Sequence, residues 1–261
     1  MMSLLQALGV LPFLMLAGFA AGVSAAPGVA LYNHAAAIIA GWPSPWHEMG
    51  VGLSLVLAYF AFGFTLIFVA PLLNALLLGR LKAWRGPQVS PGAMRWYVHA
   101  TLTLLPRATF LDFICATPYI NLYYRLMGMK LGHQVTVNTT AIADPSLIEI
   151  GDKVTLGGSC SIMGHYAQGG YLVLAPTRIC ARATIGLRAI IMGGVTVGER
   201  AKVLAGSFVL PKTVIPDGET WGGIPAVKVD LRKGDSHNEE NEPAVAAAGD
   251  AQGGARGVDH A

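Results

Sequence analysis

Along residues 179–215 an aliphatic side chain returns at every sixth position: Ile179, Ile185, Ile191, Val197, Val203, Val209 and Ile215. A second series, Ala183, Ala189, Val195, Ala201, Ser207 and Thr213, keeps the same spacing between them. A helix repeats near 3.6 residues and a strand near 2, so neither element explains the rhythm. A period of six predicts a parallel β-helix: each repeat supplies a short strand and a turn, and three repeats close one triangular coil. The recurring aliphatic then points inward and stacks on those above and below. The rhythm starts earlier, at Leu131, Val137 and Ala143, and continues after one inserted residue at Ile150, Leu156 and Ile162. Gly132, Gly151, Gly157, Gly186 and Gly198 directly follow the aliphatic. They are expected to serve turns that need tight or positive-φ backbone.

Upstream the pattern is different. Residues 4–26 and 51–78 are long apolar runs, each sufficient to cross a bilayer core as a helix of about 20 residues. A cleaved secretory signal is the alternative for the first run, since GVSAAPG offers small residues, but a positive n-region is missing. Trp42 and Trp46 lie in the uncharged stretch between the runs and predict a segment on the membrane surface. Residues 94–130 mix aromatic, basic and apolar positions, with Pro106 and Pro118 as breakers. Two or three short amphipathic helices are expected there, either at the membrane interface or as a cap on the repeats. The expected organisation is a membrane region at 1–86, interfacial helices at 87–130, the β-helix at 131–231 and a disordered tail at 232–261, rich in Gly, Ala and charge.

Composition agrees with this division. The 261 residues are 53% hydrophobic and 13% charged, and Glu48 is the only charged residue before Arg80. Arg80, Lys82, Arg85 and Arg95 follow the second run, so the positive-inside rule places the β-helix in the cytoplasm, behind a multi-pass anchor in the cell membrane. A net charge of +3, with its basic residues scattered, gives no reason to expect nucleic-acid binding. Cys115, Cys160 and Cys180 form no C-x-x-C pair and fit a reducing compartment. Cys160 occupies a small-residue position of its repeat, where packing explains it better than nucleophilic chemistry.

One interruption carries the candidate chemistry. MGHYAQGGYLVLAPTR breaks the rhythm after Ile162, and His165 stands at its start. An imidazole with an ordinary pKa near 6.5 can take a proton from an attacking hydroxyl or amine. Asn138, Thr139 and Asp144 lie in the first coils, where each reads either as a turn residue or as a partner for His165 or an acceptor. A zinc enzyme of the γ-carbonic-anhydrase kind would need three imidazoles, and this region offers only His133 and His165, so no metal site is expected.

Residues 131–228 resemble the hexapeptide-repeat acyltransferase superfamily, whose fold is a left-handed parallel β-helix. VLAGSFVLPKTVIPDGETWGGIPAVKV is similar to the closing stretch of its acetyltransferases. The leader, LYYRLMGMKLG and GHYAQGGYLVLAP also look like membrane β-helix modules associated with non-ribosomal peptide synthetases. The resemblance implies a mainly β chain, a homotrimer, and acyl-CoA, chiefly acetyl-CoA, lying between subunits with His165 as general base. It further implies that Gly193, Gly194, Ala205 and Gly206 let the pantetheine arm approach, and that Lys228, with Arg232 or Lys233, meets the nucleotide phosphates. The chain departs from the family pattern around the histidine: SIMGHYAQGG lacks the usual Thr and Pro, and the aromatic wall near the pantetheine is either missing or supplied by Tyr166 or Tyr171. The acceptor implied is a sugar, a lipid-linked intermediate or an amine. A non-catalytic trimeric scaffold in a membrane complex is the alternative.

Overall fold

A computed structural model of the chain describes residues 4–230; the expected tail, with Arg232 and Lys233, lies outside the described residues. Two helices come first, α1 (Leu4–Ile39) and α2 (Trp46–Leu77), of 36 and 32 residues. At 1.5 Å per residue they extend about 54 and 48 Å, against about 30 Å for a bilayer core. Both are long and apolar enough to cross a membrane, and Leu14, Phe19, Leu53 and Leu72 along them are exposed. They fold back on each other closely: a Cβ on Gly28 would lie 2.5 Å from the Ala58 carbonyl oxygen.

The stretch between the two runs, expected on the membrane surface, is mostly helical. Residues 27–39 continue α1 and Trp46 already begins α2, leaving a connection at 40–45. Pro27 lies inside α1 without ending it. The alanine-rich AAAII that follows favours helix, and no charge in the run draws the backbone toward water.

Helix α3 (Pro91–Thr109) starts where Ser90 accepts a hydrogen bond from the Ala93 N–H, with Pro91 in the first turn. The break expected at Pro106 falls instead at Phe110, whose N–H bonds to the Pro106 carbonyl. Helix α4 (Pro118–Leu126) begins at the second expected breaker, capped by Thr117. Phe110, Leu111, Ile120, Tyr123 and Tyr124 are buried in one core with the β-helix aliphatics, while Phe113, Tyr119 and Leu126 stay exposed. These helices therefore cap the first coil and still present an apolar outer face. Phe110 also packs on α2 at Gly63, where a Cβ would overlap its ring at 2.0 Å.

From Lys130 the chain winds as a parallel β-helix. Leu131, Ile150, Ile179, Val197 and Ile215 pair in succession along one face. Val137, Leu156, Ile185, Val203 and Trp221 form the second, and Ile142, Ile162, Ile191 and Val209 the third. The aliphatics from Ile179 to Ile215 are at most 2% exposed, so each face of the prism contributes a continuous internal stack.

Three expectations change. The third face begins on Ile142, paired with Ile162, and Ala143 is displaced from the inward position. The glycines after the aliphatics do not adopt positive φ; they allow backbones to approach. A Cβ on Gly186 would stand 2.5 Å from the Ala205 nitrogen, and one on Gly151 2.7 Å from that of Ala181. Positive φ falls two residues later, on Lys153, Ser159, Arg188 and Arg200 among others. Finally, "mainly β" suits only the C-terminal half, because helix exceeds strand in the described residues as a whole.

Candidate active site

The coil geometry slips twice, and the functional side chains gather at the slips. After Ile142 the chain bends through Asp144, a left-handed residue at φ 60°, into the short turn Pro145–Leu147. After Ile162 it leaves the coil as an antiparallel hairpin of His165–Gln168 and Tyr171–Leu174, reversed at Gly169 and Gly170, both at positive φ. The Ala175 N–H bonds to the Gly164 carbonyl and closes its base. A strand that the pattern did not reveal, Trp84–Pro87, pairs with the outer arm of the hairpin and ties it to the segment following α2.

Asp144 is 2% exposed and engages three donors. His165 Nδ1 lies 2.5 Å from its Oδ2, the Gly164 N–H donates to the same oxygen at 3.2 Å, and Trp96 Nε1 donates to Oδ1 at 2.7 Å. The Trp96 ring stands edge-on to the imidazole, with centroids 4.8 Å apart. One carboxylate thus fixes the tautomer of His165, with the proton on Nδ1, while the Trp96 ring limits rotation of the imidazole. Gly164 makes the approach possible, since a Cβ there would stand 3.0 Å from that of Asp144 and 2.8 Å from that of Leu147.

The His165 side chain is 22% exposed, and among the described residues its Nε2 has no hydrogen-bond partner. It opens into a groove of about 930 Å³ between α1, α3 and the first coil, lined by Phe13, Met94, Tyr97, Leu104, Arg107 and His165 among others. Chemically the arrangement is a hydrogen-bonded carboxylate–imidazole pair with one free ring nitrogen facing an apolar space. That is suited to accepting and returning a single proton. A second buried imidazole, His99, lies on α3 and bonds to Asn74 at 2.8 Å. Burial pushes its pKa down, against the opposing charge of Asp144.

No protein-family model matches the sequence. The chain is 29% identical over 154 residues to the delta-poly-L-ornithine synthetase of Acinetobacter baumannii (strain AB307-0294), a match covering 59% of this chain and 11% of that protein. It is 38% identical over 96 residues to the mitochondrial gamma carbonic anhydrase 2 of Arabidopsis thaliana, covering 37% of this chain and 30% of that one. A Bacillus subtilis (strain 168) protein, provisionally named an acetyltransferase, is 28% identical over 52% of this chain and 84% of its own length. Among solved structures, a maltose O-acetyltransferase from Clostridium difficile 630 is 19% identical, covering 57% of this chain and 92% of its own at a TM-score of 0.42. The chain spans about a tenth of the synthetase and under a third of the carbonic anhydrase.

The residues that hexapeptide-repeat acetyltransferases suggest for acyl-CoA are dispersed. Gly193 is buried, and a Cβ there would meet the His165 backbone nitrogen at 2.8 Å, so its missing side chain makes room for the histidine itself. The Gly194 N–H is engaged by the Ala175 carbonyl and Thr177 Oγ1, and the Gly206 N–H by the Leu187 carbonyl. Ala205 and Gly206 occupy an exposed turn, and space is open where a Gly206 Cβ would be. Lys228 pairs with Glu219 at 2.6 Å on the closing strands. The Lys228 bond, followed by that from Trp221, holds the Glu219 carboxyl below its usual range.

Of the other side chains singled out, only Asp144 reaches His165. Thr139 donates to the Cys160 carbonyl, and Asn138 accepts from the Cys115 thiol. Cys160 is fully buried, and burial pushes its thiol up to about 12, which keeps it protonated. Tyr166 is buried with Lys212 over its ring, whereas Tyr171 is exposed beneath Arg85. Among the described residues no three His, Cys, Asp or Glu side chains form a metal-ligand group. Sequence reasoning did not reach Trp96: it lies on α3, far from the hairpin strand of His165 in sequence, and no spacing rule connects the two.

Proposed function

We propose that the protein is a membrane-anchored acyltransferase that moves an acyl group, chiefly acetyl, from acyl-CoA to a hydroxyl or amine, with His165 as general base. The Asp144–His165 hydrogen bond, beside a ring nitrogen open to the groove, is the observation that carries this reading. In the step, His165 Nε2 takes the acceptor proton as its oxygen or nitrogen attacks the thioester carbonyl. The carbonyl–sulfur bond then breaks, and the imidazolium returns the proton to the departing CoA thiolate. Asp144 holds the Nδ1 proton and stabilises the transient positive charge, and Trp96 fixes Asp144.

The acetyltransferase name of the Bacillus subtilis relative and the parallel β-helix support this reading. With it come a left-handed coil, a homotrimer, acyl-CoA against Gly193, Gly194, Ala205, Gly206 and Lys228, and a β-helix on the cytoplasmic side of the cell membrane. The organisation that goes with this reading is a membrane region at 1–86, amphipathic interfacial helices at 87–130 and the β-helix at 131–231. The acceptor is a sugar, a lipid-linked intermediate or an amine.

The test is incubation of the purified full chain with labelled acetyl-CoA and membrane extract, followed by identification of the labelled product. His165→Ala should abolish labelling and Asp144→Asn should reduce it about ten- to hundredfold, the value of one hydrogen bond to a charged group. Undiminished labelling by His165→Ala, in protein that is folded by circular dichroism, would overturn the assignment.

A further inference from the structure

The groove at His165 is larger and more apolar than proton transfer requires. At about 930 Å³ it has the volume of clefts that hold drug-sized molecules. Its walls come from three parts of the chain: Val10 and Phe13 on α1, Met94, Tyr97 and Leu104 on α3, and the first coil with Asp144 and His165. Val10 is 44%, Met94 42% and Leu104 59% exposed, so this apolar lining is open to solvent in the isolated chain. The α1 wall continues into Leu11, Leu14 and Met15, exposed apolar residues of a helix long enough to span a membrane. An apolar molecule could pass along that surface without entering water.

Charge narrows the occupant. Among the described residues, two charged ones line the groove, Asp144 and Arg107. Asp144 is engaged by Trp96, Gly164 and His165. Arg107, in the last turn of α3, is exposed, and no carboxylate among the described residues forms an ion pair with it. The groove thus joins a long apolar wall, one free guanidinium suited to phosphate or carboxylate, and one imidazole nitrogen.

We infer that the groove binds the acceptor, and that the acceptor is an anionic amphiphile from the membrane. Its hydrocarbon chain lies along α1 and α3, its anionic group pairs with Arg107, and its hydroxyl or amine reaches His165 Nε2. This deepens the proposed acyl transfer and rests on it for the role of His165. Seating of the chain itself depends only on the groove.

Matched probes test it. The full chain in nanodiscs is titrated with labelled lysophosphatidate, which has chain, phosphate and hydroxyl. The comparisons are glycerol 3-phosphate, which lacks the chain, and lysophosphatidylcholine, whose head group is zwitterionic. Lysophosphatidate should bind at least tenfold more tightly than glycerol 3-phosphate. Arg107→Gln should remove most of its advantage over lysophosphatidylcholine. Leu104→Trp, which fills the groove, should weaken both lipids at least tenfold. Circular dichroism and thermal denaturation, measured in parallel, report whether each variant is folded.

Equal binding of glycerol 3-phosphate, or unchanged lipid binding by a folded Leu104→Trp protein, would overturn the inference. So would competition for the groove by palmitoyl-CoA but not by lysophosphatidate, which would make it a donor-chain site. A change of oligomeric state in Leu104→Trp, with lipid binding intact, would make it a contact between copies of the chain. Lipid binding without any acetyl transfer would count against the proposed activity and leave the groove assignment standing. Transfer to soluble acceptors with no lipid binding would do the reverse.

Discussion

The regular coils from Ile179 to Ile215 and the disturbed stretch between Asn138 and Thr177 share one construction, yet differ in what their side chains do. In the regular coils each aliphatic from Ile179 to Val203 has a neighbour above and one below, and the same pairing repeats from coil to coil. The inward side chains there serve packing alone. In the disturbed stretch the inward position slips to Ile142, Asp144 takes a left-handed conformation, and eleven additional residues leave as a hairpin between Ile162 and Ile179. Polar groups that a closed coil would exclude then converge on one side, and Trp96 from a helix completes the cluster. Repetition supplies a stiff support, and the active groups lie where it is interrupted.

The sharpest way to separate the two regions is to damage each in turn. His165→Ala should lower acyl transfer by about 10²–10⁴-fold with an unchanged melting temperature. Ile185→Ala, in the fully buried stack, should cost about 2–5 kcal/mol of stability while activity per folded molecule is retained. Thermal denaturation paired with the labelled-acetyl assay checks both, and a loss of activity without destabilisation in Ile185→Ala would erase the distinction.

Glycines offer a finer contrast. Gly186→Ala pushes a methyl to 2.5 Å from backbone and should cost about 1–3 kcal/mol or more. Gly206→Ala meets nothing and bears only the strain of φ 68°, about 1 kcal/mol. Denaturant midpoints of the two variants should fall in that order.

Smaller still is the effect of Trp96→Phe, which keeps a ring beside His165 but removes the donor to Asp144. About a tenfold loss of transfer is expected, from one hydrogen bond to a carboxylate. The pH–rate profile should also move, which a purely packing role for Trp96 would not produce.

The smallest effect concerns His99. Burial lowers its pKa, so below its ordinary value near 6.5 the unfolded chain takes up a proton that the folded chain does not. Its contribution is fully present above that value and is lost as pH falls toward the depressed folded pKa. Melting temperatures measured from about pH 7.5 to 5 should decline, and His99→Gln should flatten the decline.

How much of this could be read in advance follows the same division. The prism was legible from Ile179 to Ile215 because identical environments demand similar side chains at a constant interval. The slip at Ile142 was not, since Ile142 and Ala143 are adjacent and both apolar, and composition does not say which one faces inward. Asp144 reads as a turn residue, which its φ of 60° confirms, but its contact with His165 depends on how two separate interruptions stack. Of the two reasons that glycine suits these turns, the tight approach between coils applies and positive φ does not; Lys153, Arg188 and Arg200 accept the left-handed conformation. The apolar segments were visible, but not the continuous helix through Pro27, because helix ends are set by the surroundings as much as by breakers.

The 18-residue interval between Ile179, Val197 and Ile215 also makes the prism a ruler. Each coil advances the chain by about 4.8 Å. The closing strands with Glu219 and Lys228 therefore stand at a distance from His165 set by the number of coils between them. Inserting or deleting one whole coil would move that end by one mark and leave Asp144, His165 and Trp96 untouched. Evolution can thus lengthen or shorten the reach of such a molecule in fixed increments, without rebuilding its chemistry.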